Sequence, residues 1–499
     1  MHDPFLKKSG IQAFSLALVL SVMVSGCSVV MPAESLNEAA STDEQWQSEM
    51  PAGVSQEAMN DASAGARWWQ QMHDPLLQRL ITMTLNNSPD MESARLTYRR
   101  AQLQAEIAGV NNLPSLSVST GVSRAGSVDT GTRTNYSGSL QASWEVDLWG
   151  EASSEKRQAK AAIAQADELL RNARISLMAR TANAYTNLRL AQENLRVARA
   201  GVDIRSESYD LARFEYQSGI GTELEVMQAK TQLDRAKAEL PQYRQTQEEA
   251  INQLRALTDG ELTTLLSELR EQRNLPQPPV NLALNLPAEI LRQRPDVKAQ
   301  EYAVIQQAET VNQARKARFP SFRLSGSLTG SGDNYADVFD ADSLVRSVAA
   351  SLSYALFDNG VLKNNELTQE IELDTALNTY RDTILTAQQE VEDALSSLYT
   401  AQQQKASYQQ AEDSATLAEQ LARYQYDAGM LDFTDLLDTQ SALLDARNAR
   451  VQNEGTILTA WVELYRAAGG GWQTQKDTGK DSRDSTDNQP STDQGDVSE

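Results

Sequence analysis

Hydrophobic positions along this chain keep two periods, and the places where one gives way to the other mark its elements. From Glu151 to Ser218, and again from Val361 to Ala428, apolar residues recur in steps of three and four. They include Ile163, Ala166, Leu170, Ala173 and Leu177 in the first stretch, and Ala376, Tyr380, Ile384, Ala387 and Val391 in the second. Neither stretch holds a Pro, and Gly201 is the only Gly in the two. The spacing predicts two continuous helices, each ~100 Å long, with an alanine-rich coiled-coil seam that lets neighbouring backbones approach closely. Shorter helical patterns run from Leu76 to Leu85 and from Met91 to Gly109. Ser88-Pro89-Asp90 separates them, and Leu113-Pro114 ends the second, because Pro disfavours helix in the residue before it.

Ahead of each long helix the period falls to two. Leu116, Val118, Thr120 and Val122 alternate with Ser115, Ser117, Ser119 and Gly121. After a Gly-containing turn from Arg124 to Thr134, Tyr136, Gly138, Leu140, Ala142, Trp144 and Val146 alternate with small polar residues. Later, Leu324, Gly326 and Leu328 do the same, followed by Val348, Ala350, Leu352, Tyr354 and Leu356. Runs of about ten residues, apolar on one side and small-polar on the other, are the mark of transmembrane β-strands.

The order of elements repeats. Phe319-Pro320-Ser321-Phe322 answers Leu113-Pro114-Ser115-Leu116, Arg294-Pro295-Asp296 answers Ser88-Pro89-Asp90, and Gly219 falls on Gly429. Two copies of a helix, hairpin, long helix, turn and return-helix unit are expected. Residues 66–257 form the first copy, with hairpin 114–147, long helix 151–218 and tip 217–222. Residues 286–472 form the second, with hairpin 319–357, long helix 361–428 and tip 427–432. Residues 258–285 join them, and 473–499 form a polar tail too poor in apolar residues to bury a core. Pro241, inside the first return helix, is expected to kink or end it.

Residues 1–26 read as a processing segment: Lys7 and Lys8, an apolar run from Ile11 to Val24, then a small-small-Cys ending at Cys27. That run is short for a membrane-spanning helix. The ending resembles a bacterial lipobox, which implies a covalent lipid on Cys27, with residues 27–65 as a polar tether. An ordinary signal peptide containing a Cys is the alternative. Ser28 in place of Asp matches lipoproteins sent to the outer membrane. With one Cys in the chain, an intramolecular disulfide is excluded. Past the processing segment only His73 remains of the histidines, which argues against His-based metal sites and Ser-His-Asp catalysis. The net charge of −23 argues against nucleic-acid binding. No enzyme, catalytic residue, metal or cofactor beyond the lipid is expected.

Four strands cannot close a barrel, and an open sheet edge in hydrocarbon leaves unpaired backbone groups. Chains must therefore pool strands, and three chains of four strands give 12, within the usual even-numbered range. The fold class expected is mixed α and transmembrane β: a homotrimer with a 12-stranded β-barrel continuous with a long α-helical coiled-coil barrel.

At this point the residues carry a resemblance. The lipobox Cys27, Trp68-Trp69 with Asp74-Pro75-Leu76, Trp144-Glu145-Val146-Asp147-Leu148-Trp149-Gly150, Arg294-Pro295-Asp296-Val297, Phe319-Pro320-Ser321 and the closing Gly469-Gly470-Gly471-Trp472 together resemble the trimeric outer-membrane factor family, TolC/OprM-like. The resemblance implies a lipid-anchored outer-membrane duct reaching into the periplasm. It would dock a periplasmic adaptor (a membrane fusion protein) and an inner-membrane pump, expected to be of the RND type, and pass small toxic compounds outward. It also implies that the tips, with Gly219, Ile220, Gly429 and Met430, close the channel at rest and receive the adaptor. Asp435 and Asp438, on one helix face by their spacing, match the family's acidic pore constriction; a solvated helix start is the other reading. Tyr426 matches a gate position whose acidic partner would be Glu225. Leu431 stands where the family has a basic residue, so the closing network departs from the pattern. A periplasmic adaptor and a surface stalk are the rival classes, and a type I protein-secretion channel is the rival within the class.

Overall fold

A computed structural model describes residues 36, 46–55, 68–127, 131–278, 282–283 and 291–470. The processing segment, Cys27, most of the tether, the opening of the second copy at 286–290 and the tail lie outside these.

The first copy opens with a short 3-10 helix, Trp68–Met72, and Asp74 then starts its first α-helix. Its Oδ1 accepts from the Leu76 and Leu77 amides at 2.9 and 3.2 Å, capping helix α1 (Pro75–Asn87) behind an N-terminal Pro. Ser88 ends it, and Pro89 opens α2 (Pro89–Val110). Two strands follow, β2 (Ser115–Ser127) and β3 (Gly131–Val146), so much of the expected Arg124–Thr134 turn is paired strand. The first long helix, α3 (Glu151–Gln217), then returns through α4 (Glu223–Leu257). The second copy runs α6 (Pro295–Lys316), β5 (Ser321–Gly332), β6 (Leu344–Ser353), the long α7 (Val361–Asp427) and α8 (Phe433–Ala467).

One device turns strand into long helix in both copies. Asp147 Oδ1 accepts from the Gly150 and Glu151 amides at 2.7 and 2.8 Å; Asp358 accepts from Gly360 and Leu362 at 2.9 and 2.8 Å. Gly150 and Gly360 hold φ of +79° and +84°, a left-handed turn that glycine adopts without strain.

Three expectations need correction. Tyr354 and Leu356 lie beyond the last strand, which ends at Ser353 opposite Ser321. Pro320, lacking an N–H, precedes Ser321, so the ladder has no donor to continue it. Pro241 does not end its helix: α4 runs through it, because Pro241 faces solvent and buried residues on both sides, Leu233 and Ala236 before and Ile251 and Leu254 after, hold the helix together. Finally, the polar tether is not all a free linker. Residues 46–55 dock on α7, where the Gln47 and Ser48 amides donate to the Glu392 carboxylate at 2.7 and 2.8 Å and Trp46 is buried. The short β1 (Val54–Ser55) then pairs parallel with β4 (Leu282–Ala283) from the linker, which also holds a one-turn helix, α5 (Leu266–Arg270).

The core lies around the midpoints of the long helices. Tyr185 and Leu188 of α3, Val391 and Leu398 of α7, and Trp461 and Tyr465 of α8 share one cluster with Trp68 and Leu76. Trp68 stacks on Tyr465 at 5.2 Å between ring centroids, and the Tyr185 hydroxyl donates to Asp74 at 2.5 Å. The Arg294-Pro295-Asp296 motif is a rivet. Buried Arg294 donates to Asp296 and Glu390 at 2.6 and 2.8 Å and to the Ala467 carbonyl at 2.8 Å, tying the ends of α8 and α6 to α7.

Candidate functional site: a sheet wall and two helical tips

The four long strands form one sheet in the order β2-β3-β5-β6, all antiparallel. Their register puts every apolar set on the same side. Val118 faces Leu140, Leu140 faces Leu328, Trp144 faces Leu324, and Phe322 faces Leu352. The other side is lined by Ser119 and Ser139, whose hydroxyls lie 2.8 Å apart, by Ser327 and Ser347 at the same distance, and by the Arg323–Glu145 ion pair at 2.9 Å. The apolar side is largely open away from the Tyr335–Phe339 loop, with Val348 91 % exposed; the other side can hold water. Such a sheet separates lipid from lumen.

Aromatic residues bracket the apolar side. At one end the Trp144 indole donates to the Asn112 carbonyl at 2.8 Å, and Trp149, stacked on Phe319, donates to Pro320 at 2.7 Å. At the other end Tyr136 meets Tyr335 edge-on, and Tyr335 meets Phe339. From Tyr136 to Trp144 a strand climbs ~26 Å, close to the ~25 Å apolar band of outer-membrane barrels. The loop bearing Tyr335 and Phe339 folds down onto this apolar side. Buried Val338 sits over Gly138 and Gly330, and a Cβ on Gly330 would lie 2.0 Å from the Val338 carbonyl oxygen. Among the described residues no helix is long and apolar enough to cross a membrane.

At the far end the two long helices stop alike. The Gly219 amide donates to Tyr216 O and Ile220 to Glu215 O; Gly429 donates to Tyr426 O and Met430 to Gln425 O, with glycine φ of +76° and +69°. This left-handed C-terminal motif satisfies the last carbonyls and leaves Ile220 and Met430 exposed at the tips. Behind them Ala212, Val226, Ala422, Phe433 and Leu436 form a small core, and Leu431 packs against it. Leu431 thus serves as an apolar wedge behind the tip. Asp435 and Asp438 are exposed on α8, on the flank opposite that core.

Tyr426 does not bond Glu225. Its hydroxyl donates to Glu215 Oε2 at 2.5 Å, while Glu225 is occupied locally: its carboxylate accepts from the Thr222 amide at 2.7 Å in a capping box that starts α4. Partial burial, then the Glu215 hydrogen bond, pushes the Tyr426 hydroxyl well above its ordinary pKa, so it stays a donor. A second bridge between the long helices, Arg423 to Glu207 at 3.1 Å, lies further up. Nothing periodic in the sequence marks Glu215 or Glu207. The one available signal was that Glu215 and Tyr426 each lie in the last turn of their helices. Among the described residues no group of His, Cys, Asp and Glu is placed to hold a metal ion.

The chain matches the outer membrane efflux protein family over residues 80–260 and 286–470. It is 30 % identical to the pyoverdine export outer membrane protein OpmQ of Pseudomonas aeruginosa, covering 93 % of this chain and 98 % of that one. The chain belongs to the outer membrane efflux protein family. Among other relatives of this efflux protein, the probable outer membrane lipoprotein SilC of Salmonella typhimurium is 28 % identical over 81 % of this chain and 88 % of that one. The outer-membrane channel OprN superposes with a TM-score of 0.75 at 26 % identity, covering 87 % of this chain and 96 % of that structure. The efflux protein is an outer-membrane channel, not an enzyme: a trimer in which a strand barrel continues into a helical barrel, working as the exit duct of an efflux system with a periplasmic adaptor and an inner-membrane pump. The efflux roles of its relatives decide against protein secretion.

Proposed function

We propose that this efflux protein is held in the outer membrane by lipid on Cys27 as well as by its strands, is served by an RND-type pump, and opens at the Gly219 and Gly429 tips when an adaptor grips them. The Tyr426–Glu215 hydrogen bond supports the gating at the tips, since it ties the second helical hairpin to the first beside them. Ile220 and Met430, apolar and exposed, offer the adaptor its contacts. Three copies of Asp435 and Asp438 ring the narrowing end, favour cations and repel anions. The cargo is small toxic compounds, in line with the pyoverdine, toluene and antibiotic export named for the relatives. Deleting the gene and growing cells on dyes, detergents and antibiotics tests the cargo class: sensitisation to several is expected, and unchanged growth on all overturns it. Labelling cells with an alkynyl fatty acid tests the anchor: native protein takes up label and Cys27→Ala does not.

A further inference from the structure

Laying Gly150 on Gly360 aligns the two long helices, and laying Pro89 on Pro295 aligns the two short helices that precede the hairpins. In the first alignment, positions buried in one copy are bare in the other. Ser154, Ala161 and Glu168 of α3 are buried, whereas their counterparts Asn364, Ile371 and Asn378 of α7 are exposed. What covers α3 there is α6: Arg157 donates to Glu309 at 2.6 and 2.8 Å, and Gln158 donates to Thr310 at 2.9 Å. The counterpart of α6 is α2, which packs on α3 with one flank and leaves Leu96, Leu103 and Ile107 exposed on the other.

The sheet makes the same statement. Inside the chain β3, which leads into α3, pairs with β5, which follows α6. Their counterparts β6 and β2 are the two open edges.

We propose that the seam between protomers copies this internal joint with its chemistry inverted: α2 of one protomer lies along α7 of the next, and apolar contact replaces the ion pair. Leu103 stands where Glu309 does and Leu367 where Arg157 does, so the Arg157–Glu309 bridge becomes a Leu367–Leu103 contact. The neighbouring hydrogen bond survives with donor and acceptor side chains exchanged, Thr368 against Gln104. In the sheet, Tyr354 and Leu356, which lack a strand partner among the described residues, come opposite Val118 and Leu116 of the neighbour. The inversion has a physical reason. The joint within a chain is already held by the polypeptide and can use a polar contact, half-exposed Arg157 forked onto the mostly covered Glu309, whereas a joint between chains depends on burial of apolar surface. The inference rests on the trimeric duct and names the surface that closes it.

Two experiments on the full-length protein in outer membranes test it. With Leu103→Cys and Leu367→Cys together, a short bifunctional thiol reagent should yield dimers and trimers on denaturing gels, while either single variant, sharing the native Cys27, should not. Monomer alone, or a link within one chain, overturns the seam even if the protein remains a trimeric efflux channel. Separately, Leu103→Glu and Leu367→Arg should each lower the temperature at which detergent-extracted trimers dissociate, and the double variant, which rebuilds the internal pair, should recover most of the loss. Additive loss in the double variant overturns the proposed contact.

Discussion

The Tyr426 hydroxyl donates a 2.5 Å hydrogen bond to the Glu215 carboxylate, joining the last turn of one long helix to the last turn of the other. A hydrogen bond to a charged acceptor contributes about 1.5–3 kcal/mol, and each trimer holds three. Tyr426→Phe and Glu215→Gln should each raise single-channel conductance in planar bilayers. Glu225→Gln should change it less, because that carboxylate serves a helix cap. If Glu225→Gln opened the channel and Glu215→Gln did not, the bond would have no part in closure.

Asp435 and Asp438 share the open flank of α8. Replacing both with Asn should reduce cation preference, read as a shift of reversal potential toward zero in a salt gradient. An unmoved potential would place these carboxylates away from the conduction path.

Gly330 has no room for a side chain, since the Val338 carbonyl occupies the Cβ position. Gly330→Ala should lift the loop containing Ala336–Phe339 off the sheet and expose it to protease added to intact cells. The native loop, seated on the apolar side with Tyr335 and Phe339 at the rim, should resist. Equal cleavage of both would mean that the loop is not seated there.

Buried Arg294 and the half-buried carboxylates of Asp296 and Glu390 form the rivet at the midpoint. Burial by itself would raise the Asp296 carboxyl, but its hydrogen bonds and charge contact with Arg294 prevail and hold it below its ordinary value. A depressed carboxylate stabilises the fold in full above its unfolded pKa of about 3.9 and loses that contribution as pH falls through the folded value. Asp296→Asn should therefore lower the unfolding temperature near neutral pH, by a loss of about 2 kcal/mol. The gap from native protein should close in acid. A gap that persists in acid would assign the loss to packing instead.

Much of this architecture was legible along the chain because its signals are periodic. The steps of three and four through Tyr380, Ile384, Ala387 and Val391 mark residues that are buried in α7. The alternation around Leu140 and Trp144 marks a strand whose apolar side stands in register with its neighbours. The same period ran on past the strand to Tyr354 and Leu356, where no strand among the described residues lies opposite.

Tertiary structure alone decided which residues meet across these elements. A helix period places Tyr426 on a face but does not choose Glu215 over Glu225, because both lie near the first tip and the choice turns on which carboxylate is already engaged by its own backbone. Docking of residues 46–55 on Glu392 and Gln402, and the seating of Val338 over Gly330, are single contacts between distant stretches with no repeat to announce them. Period is a property of a local helix or strand and is written in consecutive residues, whereas contact depends on how whole elements stack, which the chain settles only when it packs.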